Sequence, residues 1–395
     1  MPDVMAGFHD TPQTRKKTKA FRPATIILIA VSALLLLPIV LEVSLRLLMP
    51  YPLLPPVFDY PPFYVQKNIQ LRKGCDSVAT CTFNQWGFRG PCRLFCYKKS
   101  IRIFLIGSSS TLCSDNSDTA TWGYVLQQRL RRVDPLVDVY NAGMRGITTE
   151  VYATILDKYI LQLHPDAVVF LTGATDLYVN LHTQGRIQGN MWDNHFLKRM
   201  KSSSKGKWLL AHSRVAQVID VIKRWHNRDI DVRDNRAMNL PPELTDPLTP
   251  ADSLPSDDSI LVRFPHFKES VEKVLALCRD HGVLPVFAFQ PVTYSCDDRN
   301  KILPIAKFRV GIRRFVLSTC KGAMLYERYE KGLSELCARH HVPLVDLNAI
   351  LNHDPACFFD ETHFTDYGNR IVGNLLADSI APMVKGMRDR AATRR

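Results

Sequence analysis

The sequence predicts an α/β fold, a three-layer α/β/α domain on a central, mostly parallel sheet, preceded by one N-terminal transmembrane helix. Three observations point there. Short apolar runs at 101–106 and 167–172 have the length of buried strands, segments of helical periodicity separate such runs, and Gly, Ser, Asn and Asp gather at the joints. One uncharged stretch of Leu, Ile, Val and Ala at 24–41 stands apart from that alternation.

In chain order, residues 1–23 form a basic tail, with Arg15, Lys16, Lys17, Lys19 and Arg22 just ahead of the apolar stretch. That stretch extends to about residue 48 if Glu42 and Arg46 reach for the interface, which is long enough to span a bilayer. A cleaved signal peptide is the alternative, but its apolar region is shorter and ends at small residues, whereas Pro38, Glu42 and Arg46 follow here. The basic flank leaves the tail in the cytoplasm. The expectation is therefore a single-pass protein of the inner (cytoplasmic) membrane whose remainder, after Pro50, faces the periplasm. All ten cysteines lie in that half, which is the oxidising one.

Residues 49–100 read as a stalk and a Cys-rich lead-in. The Pro- and Tyr-rich stretch at 50–62 cannot continue a helix. Cys75, Cys81, Cys92 and Cys96 are expected in disulfides of unassigned pairing; zinc is the alternative, although C-x5-C-x10-C-x3-C lacks the paired two-residue spacing of zinc ribbons.

The main domain is expected over 101–385, with an insertion at about 181–260 and a basic tail at 386–395. Strands are predicted at 101–106, 137–140, 167–172, 284–289 and 343–347, and helices at 122–132, 148–163, 308–340 and 365–385. In the insertion, Val215, Val218, Ile219 and Ile222 share one helical face, flanked by Trp208 and Trp225. That helix packs on the main domain, closes over the site, or meets the membrane surface. Five prolines among acidic and Ser residues at 241–258 predict an extended loop. The formal net charge is +13, but the Lys and Arg are scattered instead of gathered on one face, which argues against a nucleic-acid partner.

Two segments carry chemistry. Gly107-Ser108-Ser109-Ser110-Thr111 follows the first strand directly, so its hydroxyls emerge at the carboxyl end of a strand, where open α/β sheets bind ligands. The Gly-Lys-Ser/Thr ending of a phosphate loop is absent, and an ordinary polar turn is the plain reading of the tract alone. Asp360-Glu361-Thr362-His363 precedes the final helix. A carboxylate and an imidazole three residues apart on one turn can meet, Asp360 holding the Nδ1 proton and leaving Nε2 to take a serine proton. Taken alone, the pair also suits a helix N-cap and an exposed first-turn histidine.

Together these segments resemble the SGNH, or GDSL-like, hydrolase superfamily across 101–385. The Gly-Asp-Ser block is similar to Gly107-Ser108-Ser109, the glycine block to Asn141-Ala142-Gly143-Met144-Arg145-Gly146, the Gly-x-Asn-Asp block to Gly173-Ala174-Thr175-Asp176, and Asp-x-x-His to Asp360 and His363. Asn84-Gln85-Trp86-Gly87-Phe88-Arg89-Gly90 resembles the lead-in of membrane-anchored bacterial members. The resemblance implies an SGNH/flavodoxin-like α/β fold with Ser109 as nucleophile, His363 as base and Asp360 orienting it. It also implies an oxyanion hole from Ser109, Gly146 and Thr175, Gly146 fitting better than Gly143, and no metal or organic cofactor. Ser110 is the fallback nucleophile. Ser108 and Thr175 depart from the pattern; with Thr175 in place of Asn, an amide donor becomes a hydroxyl, which Asn180 or a water would have to supplement. The implied activity is that of a serine esterase or deacylase. Its expected partner is an acyl-ester small molecule or an acylated glycan or lipid of the envelope. An O-acyltransferase with the same triad and a catalytically inactive envelope binding protein are the alternatives.

Overall fold

The computed structural model describes residues 23–49, 64–91, 100–183, 212–226, 230–234, 249–250, 261, 263–296, 302–310, 313–351 and 354–393. The first element is helix α1 (Pro23–Leu48), followed by a hairpin of β1 (Val65–Ile69) and β2 (Val78–Thr82). The alternating pattern then delivers β3 (Ile101–Gly107), α2 (Ser109–Leu112), α3 (Trp122–Val133), β4 (Val137–Asn141), α4 (Thr149–Ile155), β5 (Ala167–Thr172) and α5 (Ala174–Thr183). The insertion contributes α6 (Arg214–His226), β6 (Ile230–Asp234) and β7 (Thr249–Pro250). After it come α7 (Phe264–Asp280), β8 (Leu284–Phe289), β9 (Ile302–Val310), β10 (Arg313–Ser318), α8 (Thr319–Arg339), β11 (Leu344–Asp346), α9 (Leu347–Leu351), α10 (Asp366–Ile380) and α11 (Val384–Thr393).

The central sheet has five parallel strands in the order β11-β8-β5-β3-β4. β3 and β5 are buried at every position, which is why, apart from the buried Arg102, they read as apolar runs instead of alternating ones. Alternate residues face opposite layers. Phe104, Ile106, Val168, Phe170 and Phe287 join α4, α7 and α8 in one core, while Ile103, Leu105, Val169, Leu171 and Val286 join α3, α10 and α11 in the other. Each such side chain contributes about 1.5–3 kcal/mol on burial, so both faces of the sheet are firmly fixed. The chain winds to one side after β3 and to the other from β5 on, leaving a crevice between their carboxyl ends, where doubly wound sheets bind ligands.

Several expectations differ in detail. The predicted helix at 308–340 starts only at Thr319, where Ser318 caps it by accepting from the Lys321 N–H; β9 and β10 before it form an antiparallel hairpin. Alternation of Lys and Arg with Phe and Val at 307–310 has a period of two and so favours the extended chain. The predicted helix at 148–163 is α-helical only to Ile155 and continues as a π turn and a 3-10 turn. The one at 365–385 breaks near Pro382, which has no N–H to give, and the chain resumes as helix α11. α11 buries Met387 and pairs Arg388 with Asp134, so the first residues of the basic tail pack on the domain.

The lead-in is a folded module from Tyr64 on. It packs Cys81 and Phe83 against Leu112, and β1 also pairs in parallel with β6 of the insertion. Cys75 and Cys81 carry free thiols, contrary to the disulfides expected there: the buried Cys81 thiol donates to the Ser114 carbonyl at 3.2 Å and the Cys75 sulfur accepts from Asn116 Nδ2 at 3.5 Å, while among the described residues a disulfide joins Cys296 to Cys320. The stalk at 50–63, Cys92, Cys96, Trp208 and most of the 241–258 loop lie outside the described residues. Among the described residues no helix is long and apolar enough to cross a membrane, several α1 side chains lying outside that set. The far end of α1 is tied to the insertion helix. Glu42 accepts hydrogen bonds from Ser213 Oγ at 3.0 Å and from the backbone N–H groups of Arg214 and Val215 at 2.9 and 3.0 Å, capping the start of α6.

Candidate active site

Ser109 is the first residue of α2 and sits at the mouth of the crevice. The turn that carries it needs small residues. A Cβ on Gly107 would lie 2.9 Å from Thr111 Cβ, and one on Gly143 would lie 2.8 Å from the Thr111 carbonyl carbon, so both positions admit only glycine without displacement. Asn141 ties the glycine loop to this turn, its Nδ2 donating to the Thr111 carbonyl at 2.6 Å while its Oδ1 accepts from the Gly143 N–H at 2.9 Å.

The second loop lies between β11 and α10, held by a bridge between Phe358 and Phe364 and by Thr365, which caps α10 by accepting from the Gly368 N–H. Asp360 closes this turn on itself. Its Oδ1 accepts from the Thr362 and His363 N–H groups at 2.9 and 2.8 Å, and its Oδ2 lies 2.7 Å from His363 Nδ1. His363 Nε2 lies 2.8 Å from Ser109 Oγ. The Phe359 ring stacks on the imidazole, 5.7 Å between centres and 6° from parallel, which limits tilting of the ring.

Electrostatics follow from this geometry. Burial on its own raises the Asp360 carboxyl, but the imidazole and the two N–H groups outweigh it and hold Asp360 below its ordinary range. Burial favours the neutral form of His363, yet the charge and hydrogen bond of Asp360 win and lift the imidazole above its ordinary value. A hydroxyl, an imidazole and a carboxylate so aligned can pass a proton from oxygen to Nε2 while the charge at Nδ1 is compensated.

Ser110, the fallback nucleophile, is buried and turned away from the imidazole. Its hydroxyl donates to the Thr362 carbonyl at 2.9 Å and accepts from Gln290 Nε2 at 2.8 Å, and Gln290 also donates to Thr362 O at 3.1 Å. Ser110 and Gln290 thus hold the histidine loop against the serine turn. The sequence marks Gln290 only as a polar residue directly after an apolar strand, at the same sheet end as the serines.

Ser109, Gly146, Thr175 and His363 all line one cavity of about 220 Å³, with Tyr178 and Tyr294 in its wall. Gly146 takes a φ of 68°, in the left-handed region that favours glycine. Asp176, beside Thr175, points away from the cavity chemistry: its buried carboxylate accepts from the Thr149 N–H and hydroxyl, both at 2.9 Å, and from the Gly173 N–H at 3.3 Å. Burial pushes Asp176 up to about 6 despite these bonds. Asn180 is not in the cavity wall and so cannot stand in for the missing amide: it is fully buried and its Oδ1 accepts from the Arg263 N–H at 2.8 Å. Among the described residues, no group of three or more His, Cys, Asp or Glu side chains is placed to hold a metal ion.

A doubly wound parallel sheet with a Ser-His-Asp alignment at its switch point defines the class of α/β serine hydrolases that carry Asp and His on the last loop. The sequence matches the model of the GDSL-like lipase/acylhydrolase family over residues 105–371, and the chain belongs to that family of ester hydrolases. No curated protein matches the sequence. Similar solved structures include an acetyl xylan esterase (11% identity, TM-score 0.41, covering 71% of this chain and 100% of that one). The lipase/acylhydrolase from Enterococcus faecalis is 17% identical, with a TM-score of 0.39 and coverage of 72% and 96%. The acetylxylan esterase from Geobacillus stearothermophilus is 12% identical, with a TM-score of 0.40 and the same coverage.

Proposed function

We propose that the chain is a serine esterase or deacylase that cleaves an O-acyl ester through an acyl-serine intermediate. The observation that carries this reading is the unbroken alignment of Ser109 Oγ, His363 and Asp360, at 2.8 and 2.7 Å, opening into a small cavity. Ser109 Oγ attacks the ester carbonyl as its proton moves to His363 Nε2. The tetrahedral oxyanion is met by the backbone N–H groups of Ser109 and Gly146 and by the Thr175 hydroxyl. Collapse expels the alcohol, which leaves with the proton from His363. A water then attacks the acyl-serine, its proton going to His363, and the second collapse releases the acid and returns that proton to Ser109. General-base transfer contributes roughly 10²–10⁴-fold and each oxyanion donor roughly 10²–10³-fold.

The substrate we infer is an O-acyl group on envelope glycan or glycolipid, with the domain held outside the inner membrane by α1. Support for the anchor comes from the exposed apolar side chains of α1, among them Leu34 and Leu37, and from the basic residues before it. Fluorophosphonate labelling of the full chain tests the chemistry. Labelling that Ser109→Ala abolishes, together with release of free acid from acetylated sugars, is the expected result; acyl transfer to a sugar acceptor outpacing acid release assigns a transferase, and no labelling at all defeats the serine-hydrolase reading.

A further inference from the structure

The lead-in module lies ahead of the matched family region, yet it reaches into the site. Asn68 Nδ2 donates to the Ser114 carbonyl at 2.5 Å and Gln70 Nε2 to that of Asp115, both on the loop that follows the nucleophile helix. Further along the module, the Gly74 carbonyl accepts from the Asp366 N–H at 2.9 Å, at the end of the histidine loop. Between these two attachments lies Arg72. Its Nε is 3.2 Å from Asp115 Oδ1, its Nη1 is 3.9 Å from Asp360 Oδ2, and its guanidinium stands 4.5 Å over the Phe359 ring that stacks on His363.

We propose that Arg72 is a positioning residue for the hydrolytic site, and that the lead-in module thereby completes a relay whose reacting groups all belong to the main domain. The proposal rests on the Ser109–His363–Asp360 reading. One planar cation stands over the aromatic ring that stacks on the imidazole and within ion-pair distance of Asp115 on the serine loop and Asp360 on the histidine loop. A guanidinium suits this place better than an ammonium because its flat face can lie on a ring while its charge stays near two carboxylates.

The same geometry sets the charge around His363. Asp360 faces it from its own loop and Asp115 from the loop after α2; Arg72 faces it from the lead-in, while Tyr294 and Tyr178 share the cavity wall as neutral phenols. The two carboxylates favour the imidazolium, and Arg72 opposes them. Without that cation, the imidazole holds its proton to higher pH and is less available as a base in the acid range.

The test is a pH titration of the His363 ring by NMR in the full chain, its signal identified by loss in His363→Gln, alongside the pH profile of kcat/KM on an aryl ester. Arg72→Gln is expected to move the His363 midpoint upward and to lower kcat/KM on the acid side roughly three- to tenfold, with less loss on the alkaline plateau. Arg72→Lys is expected to return the midpoint towards that of the unmodified chain. A midpoint that Arg72→Gln leaves in place or lowers, or that Arg72→Lys does not bring back, overturns the proposal, even if activity falls uniformly as it would for a merely structural residue. Should Arg72→Gln fail to fold, Arg72→Met, which keeps an apolar stem over Phe359 but removes the charge, asks the same question: the midpoint must rise, and an unmoved one is equally fatal. Because the titration needs no turnover, absent ester hydrolysis in the unmodified chain, with the midpoint shifts intact, would count against the esterase reading and leave the charge arrangement standing.

Discussion

Replacing Asp360 by Asn tests the hydrogen-bond geometry directly. Oδ1 of Asp360 already accepts from two backbone N–H groups, those of Thr362 and His363, at 2.9 and 2.8 Å. An asparagine at this position must therefore keep its oxygen there, since its NH₂ group facing two donors would leave three donors with no acceptor. Its NH₂ then occupies the place of Oδ2, 2.7 Å from His363 Nδ1, and donates to it. Nδ1 becomes the acceptor, the ring proton moves to Nε2, and the nitrogen that must take the Ser109 proton already carries one. A wrong tautomer of this kind costs on the order of 10⁴-fold in kcat in a serine protease triad, equivalent to about 5.5 kcal/mol of barrier. Asp360→Ala removes the orienting group but imposes no tautomer, so the alanine variant is expected to retain at least as much activity as the asparagine one. The assay is kcat for a short-chain aryl ester near neutral pH, with thermal unfolding checked for each variant. An Asp360→Asn enzyme within tenfold of the unmodified chain, or well above Asp360→Ala, would falsify the assigned tautomer and with it the role of Asp360.

Three further outcomes are expected. The acid limb of kcat/KM should lie above the ordinary histidine value of about 6.5, because folding raises the His363 pKa and only the neutral ring accepts a proton; a limb below that value in an ester-hydrolysis profile contradicts the site electrostatics. Thr175→Val keeps the shape but deletes the hydroxyl in the cavity wall and should lower kcat roughly 10²-fold, while Thr175→Asn should restore or exceed the starting rate; equal rates for Val and Thr would remove Thr175 from the oxyanion hole. Gly143→Ala drives a methyl into the backbone of Thr111 and Leu112 and should cost about 1–3 kcal/mol, read as a lower unfolding temperature together with lost fluorophosphonate labelling as the α2 turn shifts.

The parts legible in the sequence were those with local causes. Strands buried on both faces must be continuous apolar runs, so β3, β5 and β8 stood out, and the Asp360-x-x-His363 turn needs only neighbours in the chain to form its inner hydrogen bonds. What was misread arose from pairing at a distance. Residues 308–318 look helical until β10 is seen paired with both β9 and β7, and Cys75 and Cys81 look like disulfide cysteines until Cys81 is seen buried against the Ser114 carbonyl. Cys296 and Cys320 lie 24 residues apart, with no spacing motif to mark them.

By itself, the sequence determined which chemical groups this protein owns and at which end of the sheet the serine turn falls, because strand burial and turn formation act between residues close along the chain. Only the tertiary structure decided that Ser109, not Ser110, faces His363, that Gln290 holds the two loops together, and that Arg72 comes to rest beside Asp360. Those outcomes depend on segments separated by many tens to hundreds of residues, brought together by burial of two cores on either side of one sheet, and no local pattern encodes which hydroxyl or which cation the packing will turn inward.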